Sequence, residues 1–238
     1  MPKVFRYRLK PTKIQIATLN RHLDLCRWVY NETLALRKNA WEQEDRSISY
    51  FESKRMLPIW KDAKPELKEV YSQVLQESVQ RVDLALKAFF RRVKNGEFPG
   101  YPRFKGRGWY DSITYPQSGF SLNDNILHLS KIGDIKVWLH RPIEGTIKRL
   151  TIRRSSTKKW HVSFLVEDAP SAVLPKSEKA VGIDVGISNF AVFSDGTFIE
   201  NQRYLAECEE RLSREQSKKD KLPKTSPQRK KAAKKVSH

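Results

Sequence analysis

Apolar and polar positions alternate strictly along residues 4–10, VFRYRLK. Phe5, Tyr7 and Leu9 fall on one side, and Arg6, Arg8 and Lys10 on the other. Successive strand side chains point to opposite faces, so this pattern predicts a half-buried strand with a basic outer face. The period then changes. Thr12-Lys13-Ile14-Gln15 is a capping box, in which the Thr12 hydroxyl and the Gln15 side chain satisfy free amides of a first helical turn. Leu19, Leu23, Cys26, Tyr30 and Leu34 recur at helical spacing and predict a helix to about Lys38, with Arg21, Arg27 and Arg37 on its other side. A less regular helical stretch covers Tyr50 to Lys61 and is broken by Pro58. A third helix takes Pro65 into its first turn, carries a stripe from Leu67 to Val93, and stops at Asn95-Gly96.

From Gly96 onward Pro, Gly and aromatic residues become dense, and period two replaces 3.6. Ile126–Leu129, Ile135–Leu139, Ile147–Arg154 and Trp160–Glu167 read as strands, the last two joined by a turn at Ser155–Lys158. Short strands at this spacing predict a small barrel or sandwich, which the first strand completes, with the helices at 12–95 inserted into it. Residues 169–179, APSAVLPKSEK, have linker composition. The run VGIDVGISNFAVFSDG and the TFIEN that follows predict a three-stranded antiparallel meander. Beyond Asn201 the chain turns helical and charged, and the tail from Lys218 is expected to be disordered.

The 238 residues carry 46 basic and 27 acidic side chains, a net charge of +19. The excess is spread over every segment; residues 1–175 alone hold 32 basic against 18 acidic side chains. That spread suits a long polyanion and fits poorly with a single basic tail. No CxxC is present among the two cysteines, so no structural zinc is expected, and unpaired cysteines suit a reducing compartment. No apolar run is long enough to span a membrane, and the N-terminus lacks the apolar core of a signal peptide. A cytoplasmic protein without a membrane partner is the expectation.

Two stretches could carry chemistry. In FPGYPRFKGRGWYDSITY, residues 98–115, Arg103, Lys105 and Arg107 alternate with Tyr101, Phe104, Trp109 and Tyr110. Cations neutralise phosphates and aromatic faces stack on bases, although aromatics in such a loop also plug cores. Arg91, Arg92 and Lys94, in the last turn of the third helix, either complement the helix dipole or extend this basic patch. Arg6 and Arg8 on the first strand are further phosphate candidates. Asp184, between Gly182 and Gly186, is either a turn residue or half of a metal site.

GIDVGISNFAVFSDG resembles the first catalytic motif of the ribonuclease-H-like (RuvC-like) nuclease domain in the TnpB/OrfB family of insertion-sequence proteins, relatives of type V CRISPR effectors. YRLKPTKIQIATLNRHLDLCRWVYNETLALRK, FPGYPRFKGRG and the basic segment after the meander resemble other parts of that family, in the same order. The resemblance implies an α+β protein: a wedge-type β-barrel at 1–10 and 97–172, interrupted by a helical recognition domain at 11–96. A linker at 173–179 and an incomplete ribonuclease-H-like α/β domain with a basic tail at 180–238 would follow. It implies a transposon-encoded, RNA-guided DNA-binding protein of transposase type. Its partners would be a guide RNA from the transposon end and double-stranded target DNA, and its reaction Mg-dependent DNA strand cleavage. Asp184 matches the first catalytic carboxylate and Mg ligand. The family's later Glu and Asp and its zinc ribbon have no match here, so the expectation is an incomplete Mg site, no zinc, and a chain truncated within the nuclease domain and inactive alone. Two alternatives remain: a non-catalytic RNA- or DNA-binding fragment or regulator, and an actin-like ATPase or sugar kinase, whose phosphate loop also reads GIDxG.

Overall fold

A computed structural model of the chain describes residues 2–169 and 180–236 and, in α5, nothing of the Lys234 side chain. The expected linker at 173–179 lies outside the described residues. The chain divides into two compact units, Met1–Pro170 and Ser171–His238.

The first unit opens with β1 (Lys3–Lys10), whose Phe5, Tyr7 and Leu9 are buried as the alternation predicts. Helix α1 (Lys13–Glu44) starts at the expected Thr12–Gln15 capping box but runs past Lys38. It ends where Asp45 turns left-handed, with the Asp45 N–H donating to the Trp41 carbonyl and the Arg46 N–H to that of Ala40. Helix α2 (Tyr50–Ala63) passes through Pro58 without a break. Proline removes one hydrogen bond there, while a second capping box, Ser49 with Glu52, secures the start. Pro65 does not open the third helix. It opens a separate 3-10 turn, Pro65–Glu69, and the extended backbone at Val70 resets the chain before α3 (Ser72–Lys94). Leu67 and Val70 are both buried, so tertiary packing stabilises this interruption.

Seven antiparallel strands form one sheet: β2 (Ser112–Tyr115), β3 (Phe120–Asn123), β4 (Ile126–Leu129), β5 (Gly133–Trp138), β6 (Thr146–Arg154) and β7 (Trp160–Glu167) join β1 in the order β2-β6-β7-β1-β5-β4-β3. β2 and β3, of four residues each, were not expected. The sheet curls into a nearly closed, barrel-like form. Its edge strands approach where the Tyr115 and Phe120 rings lie 6.5 Å apart, and the Tyr115 hydroxyl donates to the Ser130 carbonyl at 3.0 Å. Gly119 allows this closure: its φ is +81°, and a Cβ there would sit 2.5 Å from the Tyr71 ring, which stacks on Tyr115. Leu127, Leu129, Ile135, Leu150, Ile152, Val162 and Phe164 fill the interior. Helices α1 and α3 pack on each other and share a continuous core with the sheet through Leu19, Cys26, Val29, Val74, Leu75 and Val82.

The second unit holds the expected three-stranded antiparallel meander, β8 (Ile183–Asp184), β9 (Asn189–Phe193) and β10 (Phe198–Glu200), in the order β10-β9-β8. Helices α4 (Tyr204–Asp220) and α5 (Pro227–Val236) follow. The expectation of a disordered tail from Lys218 is corrected: the segment is a helical hairpin. Arg229 organises it, donating to the Lys219 and Leu222 carbonyls at 3.1 and 2.7 Å and to Asp220 Oδ1 at 3.0 Å. These carbonyls lie at and just past the C-terminus of α4, where intrahelical donors run out, so one guanidinium supplies donors there. Among the described residues of this unit, Ala191 is the one buried hydrophobic side chain.

Candidate nucleic-acid interface

Cross-strand register gathers the cations of the first unit on the solvent side of the sheet. Arg8 on β1 stands opposite Trp138 of β5 on one side and His161 of β7 on the other. His161 in turn stands opposite Arg153 of β6, which pairs with Ser112 of β2. Directly opposed residues share a face of the sheet. One row therefore reads Trp138, Arg8, His161, Arg153, Ser112. Arg6 heads the neighbouring row, opposite Ser163. The Lys10 ammonium lies 5.4 Å from the Trp138 ring centre, and Trp138 is 62% exposed. A cleft of about 530 Å³ opens here, lined by Arg6, Asp111, Arg153, Arg154, Ser155 and Lys158 among others. Asp111 holds Arg153 Nε at 2.8 Å, and Arg154 bonds Asn20 of α1, so these two cations are oriented before any ligand arrives. Among the described residues no carboxylate pairs with Arg6 or Arg8. Burial, then Arg6, Arg8 and Lys159, push the His161 pKa below the ordinary histidine value.

The basic-aromatic loop forms the second part. Arg91, Tyr101, Arg103, Phe104 and Arg107 are exposed, Arg92 is half-buried, and Trp109 is 80% exposed. Arg92 donates to the Gly100 carbonyl at 3.1 Å, tying the loop to the end of α3. Lys105 is half-buried. Its backbone is pinned from α1, where Asn31 Nδ2 donates to the Lys105 carbonyl at 3.1 Å and Asn31 Oδ1 accepts from the Lys105 N–H at 2.8 Å. Its ammonium lies 5.9 Å from the Tyr30 ring. Tyr110 belongs to the core, not to the stacking set: it is buried and shares a 2.9 Å hydrogen bond with Ser78. Burial pushes its hydroxyl pKa well up. Arg81 lies over its ring and donates to the Ser112 carbonyl at 2.8 Å.

The residues that single-chain reading missed here are Trp138, Arg153, Arg154, Lys158 and His161. The alternation in β6 and β7 already placed Arg153 and His161 on outward positions. Their alignment with Arg8 required the strand order.

Asp184 is an exposed strand residue opposite Val192, not a turn residue. The meander around it is held by Ser194, whose hydroxyl accepts from the Gly182 N–H at 3.0 Å, and by Asn201, which donates to the Ile187 carbonyl at 2.8 Å. Asp195 is committed to its own turn: hydrogen bonds from the Thr197 hydroxyl and backbone N–H hold its carboxyl below the usual range. Glu200 stands opposite Asn189, on the far side of β9 from β8. Among the described residues no group of three or more His, Cys, Asp or Glu side chains is placed to hold a metal. Mg²⁺ needs a near-octahedral oxygen set, so Asp184 by itself does not fit it.

Comparison with known proteins supplies the context. Residues 1–46 match the OrfB/IS605 family described as "Helix-turn-helix domain", and residues 163–238 match the OrfB/IS605 family described as "Probable transposase". Residues 1–46 fold as one strand and one unbroken helix, so a helix-turn-helix is not what this segment forms. The chain is 33% identical over 223 residues to the "Putative RNA-guided DNA endonuclease InsQ" of Escherichia coli (strain K12), covering 89% of this chain and 54% of that protein. It is 34% identical over 240 residues to a "Putative RNA-guided DNA endonuclease" of Streptomyces pristinaespiralis, covering 98% of this chain and 58% of that protein. The chain thus spans little more than half the length of these curated relatives. With both ends matching OrfB/IS605 families in order and the similarity to these relatives covering nearly all of its length, this chain belongs to the TnpB/OrfB family of insertion-sequence proteins.

Proposed function

We propose that the chain binds a guide RNA and, through it, double-stranded target DNA, as the names of its relatives suggest for them. The observation that carries this reading is the cationic row across β1, β7 and β6, continued by the basic-aromatic loop. Cations aligned on a rigid sheet track a phosphate backbone without reading sequence, and exposed Tyr101, Phe104 and Trp109 offer stacking faces to unpaired bases. In this reading Arg6, Arg8, Arg91, Arg92, Arg103, Lys105 and Arg107 contact phosphates. The wedge-type role of the barrel, the recognition role of the helices and the nuclease-type identity of the meander belong to the same proposal. So does a cytoplasmic setting, which the free Cys26 and Cys208 suit.

Asp184 is proposed as one carboxylate of a Mg²⁺ site for DNA cleavage. The described residues do not complete that site, and no cleavage step is assigned to them. That same solitary carboxylate favours a second reading, a chain that binds nucleic acid without cutting it. A filter-binding titration with structured RNA tests the shared part. If roughly six phosphates are neutralised, affinity falls by about three decades from 50 to 200 mM salt. A flat salt response overturns the assignment. Asp184→Ala leaves RNA affinity unchanged in either reading. Guided cutting of matched DNA that is lost in Asp184→Ala selects the first reading; binding without cutting selects the second.

A further inference from the structure

The row on the sheet has an unusual internal chemistry. The Arg8 Nε and His161 Nδ1 atoms are both buried from solvent and have no hydrogen-bond partner, and their residues stand directly opposite each other. A buried polar nitrogen without a partner costs stability, and two on facing residues share one remedy, an acceptor supplied from outside. The groups facing His161 are cationic on every side: Arg8 and Arg6 from β1, Arg153 from β6, and Lys159 from the turn before β7. Among the described residues, the carboxylate beside this row, Asp111, is already engaged by Arg153. The cleft beside Arg6 and Arg153 provides room for a tetrahedral anion.

We propose that Arg8, His161 and Arg153, flanked by Arg6, form a phosphodiester subsite of the nucleic-acid interface, and that filling it places a proton on the His161 imidazole. The inference rests on the nucleic-acid reading above and adds a regulatory property to it. In the free protein burial, and then the surrounding cations, disfavour imidazolium at His161. A phosphodiester seated on the solvent side of the row, in the cleft beside Arg6 and Arg153, reverses the local field. Imidazolium then offers donors at both ring nitrogens. No bond is made or broken; a proton is taken from solvent on binding and returned on release. Because the complex holds more protons than the free protein, affinity rises as pH falls, by up to about tenfold per pH unit inside the window where only the complex is protonated.

The test uses the full chain and a fluorescein-labelled structured RNA, with dissociation constants measured from about pH 5.5 to 8. Wild-type protein is expected to tighten towards acid. His161→Asn is expected to follow a flat profile, with no tightening towards acid. Ring-carbon NMR of His161 provides a reading that does not depend on the variant's folding: RNA should move the titration midpoint upward. Equal pH profiles in the two proteins, or an unmoved midpoint, overturn the subsite while leaving nucleic-acid binding intact. Wild-type protein that binds no RNA at any pH overturns both.

Discussion

The side-chain amide of Asn31 on α1 pairs in both directions with the backbone of Lys105, as donor to its carbonyl at 3.1 Å and acceptor from its N–H at 2.8 Å. Arg27 approaches the same carbonyl at 3.5 Å. A loop rich in Pro and Gly is thereby held at its centre by a helix 74 residues earlier in the chain. Asn31→Ala should remove both bonds and lower stability by about 1–3 kcal/mol. Amide exchange at Lys105 should accelerate sharply while exchange in the barrel strands stays slow. Unchanged protection at Lys105 would show that the loop is held by something else.

Arg103 and Lys105 carry the basic half of that loop. The double replacement Arg103→Ala with Lys105→Ala should weaken RNA binding and reduce the slope of log affinity against log salt by about 2. The far-UV circular dichroism should stay that of the wild type, because neither side chain is buried in the core. A variant with wild-type affinity and slope would remove the loop from the interface.

Asp83 on α3 receives Arg37 from α1 and Lys87 from its own helix, each at 2.9 Å. Burial alone pushes this carboxyl up, but Lys87 and Arg37 outweigh it and hold its pKa below the ordinary aspartate value. Asp83→Leu strands Arg37, which is 13% exposed, and should cost roughly 3 kcal/mol in urea unfolding. Pairing it with Arg37→Met should recover much of that loss. With a depressed folded-state pKa, this pair's contribution is present above the unfolded aspartate value and lost as pH falls through the folded one. A double variant no more stable than Asp83→Leu would mean the stranded guanidinium is not the source of the cost.

His22 on α1 is 2% exposed, and burial lowers its pKa from 6.5 to about 4, with Glu69 raising it slightly and Arg21 lowering it further. Between those two values the unfolded chain binds a proton that the native protein refuses. Stability therefore falls as pH drops through that window, by roughly 3 kcal/mol in total, and is unaffected by this group above it. Urea unfolding from pH 7 to 4 should show the decline in the wild type and a flatter curve in His22→Leu. The same slope in both proteins would assign the decline to other groups.

Much of the fold was legible in local patterns. The Phe5-Tyr7-Leu9 alternation, the Thr12–Gln15 box, the Gly96 stop and the Trp160–Glu167 strand all involve residues a few positions apart, where period and capping chemistry act directly. The failures were of another kind. Pro58 and Pro65 were read by their local effect, and packing of Leu57, Leu67 and Val70 decided where helices really break. β2 and β3, set among the Pro, Gly and aromatic residues of the loop region, are held as strands by pairing with β6 and β4. The α5 segment has no stripe to announce it; Arg229 reaching back to the carbonyls at the end of α4 holds it.

For the interface, composition and alternation pointed to a polyanion as the expected partner and to Arg6, Arg8 and the Arg103–Arg107 loop as solvent-facing. They also singled out Asp184 as a solitary carboxylate on a strand. Only the tertiary structure decided that Arg8, His161 and Arg153, separated by about 150 residues at the extremes, stand in one row, and that Tyr110 is core while Trp109 is surface. The reason is physical: side-chain period along one strand is set by backbone geometry within that strand, but which strands lie side by side is set by how the whole sheet closes over its core.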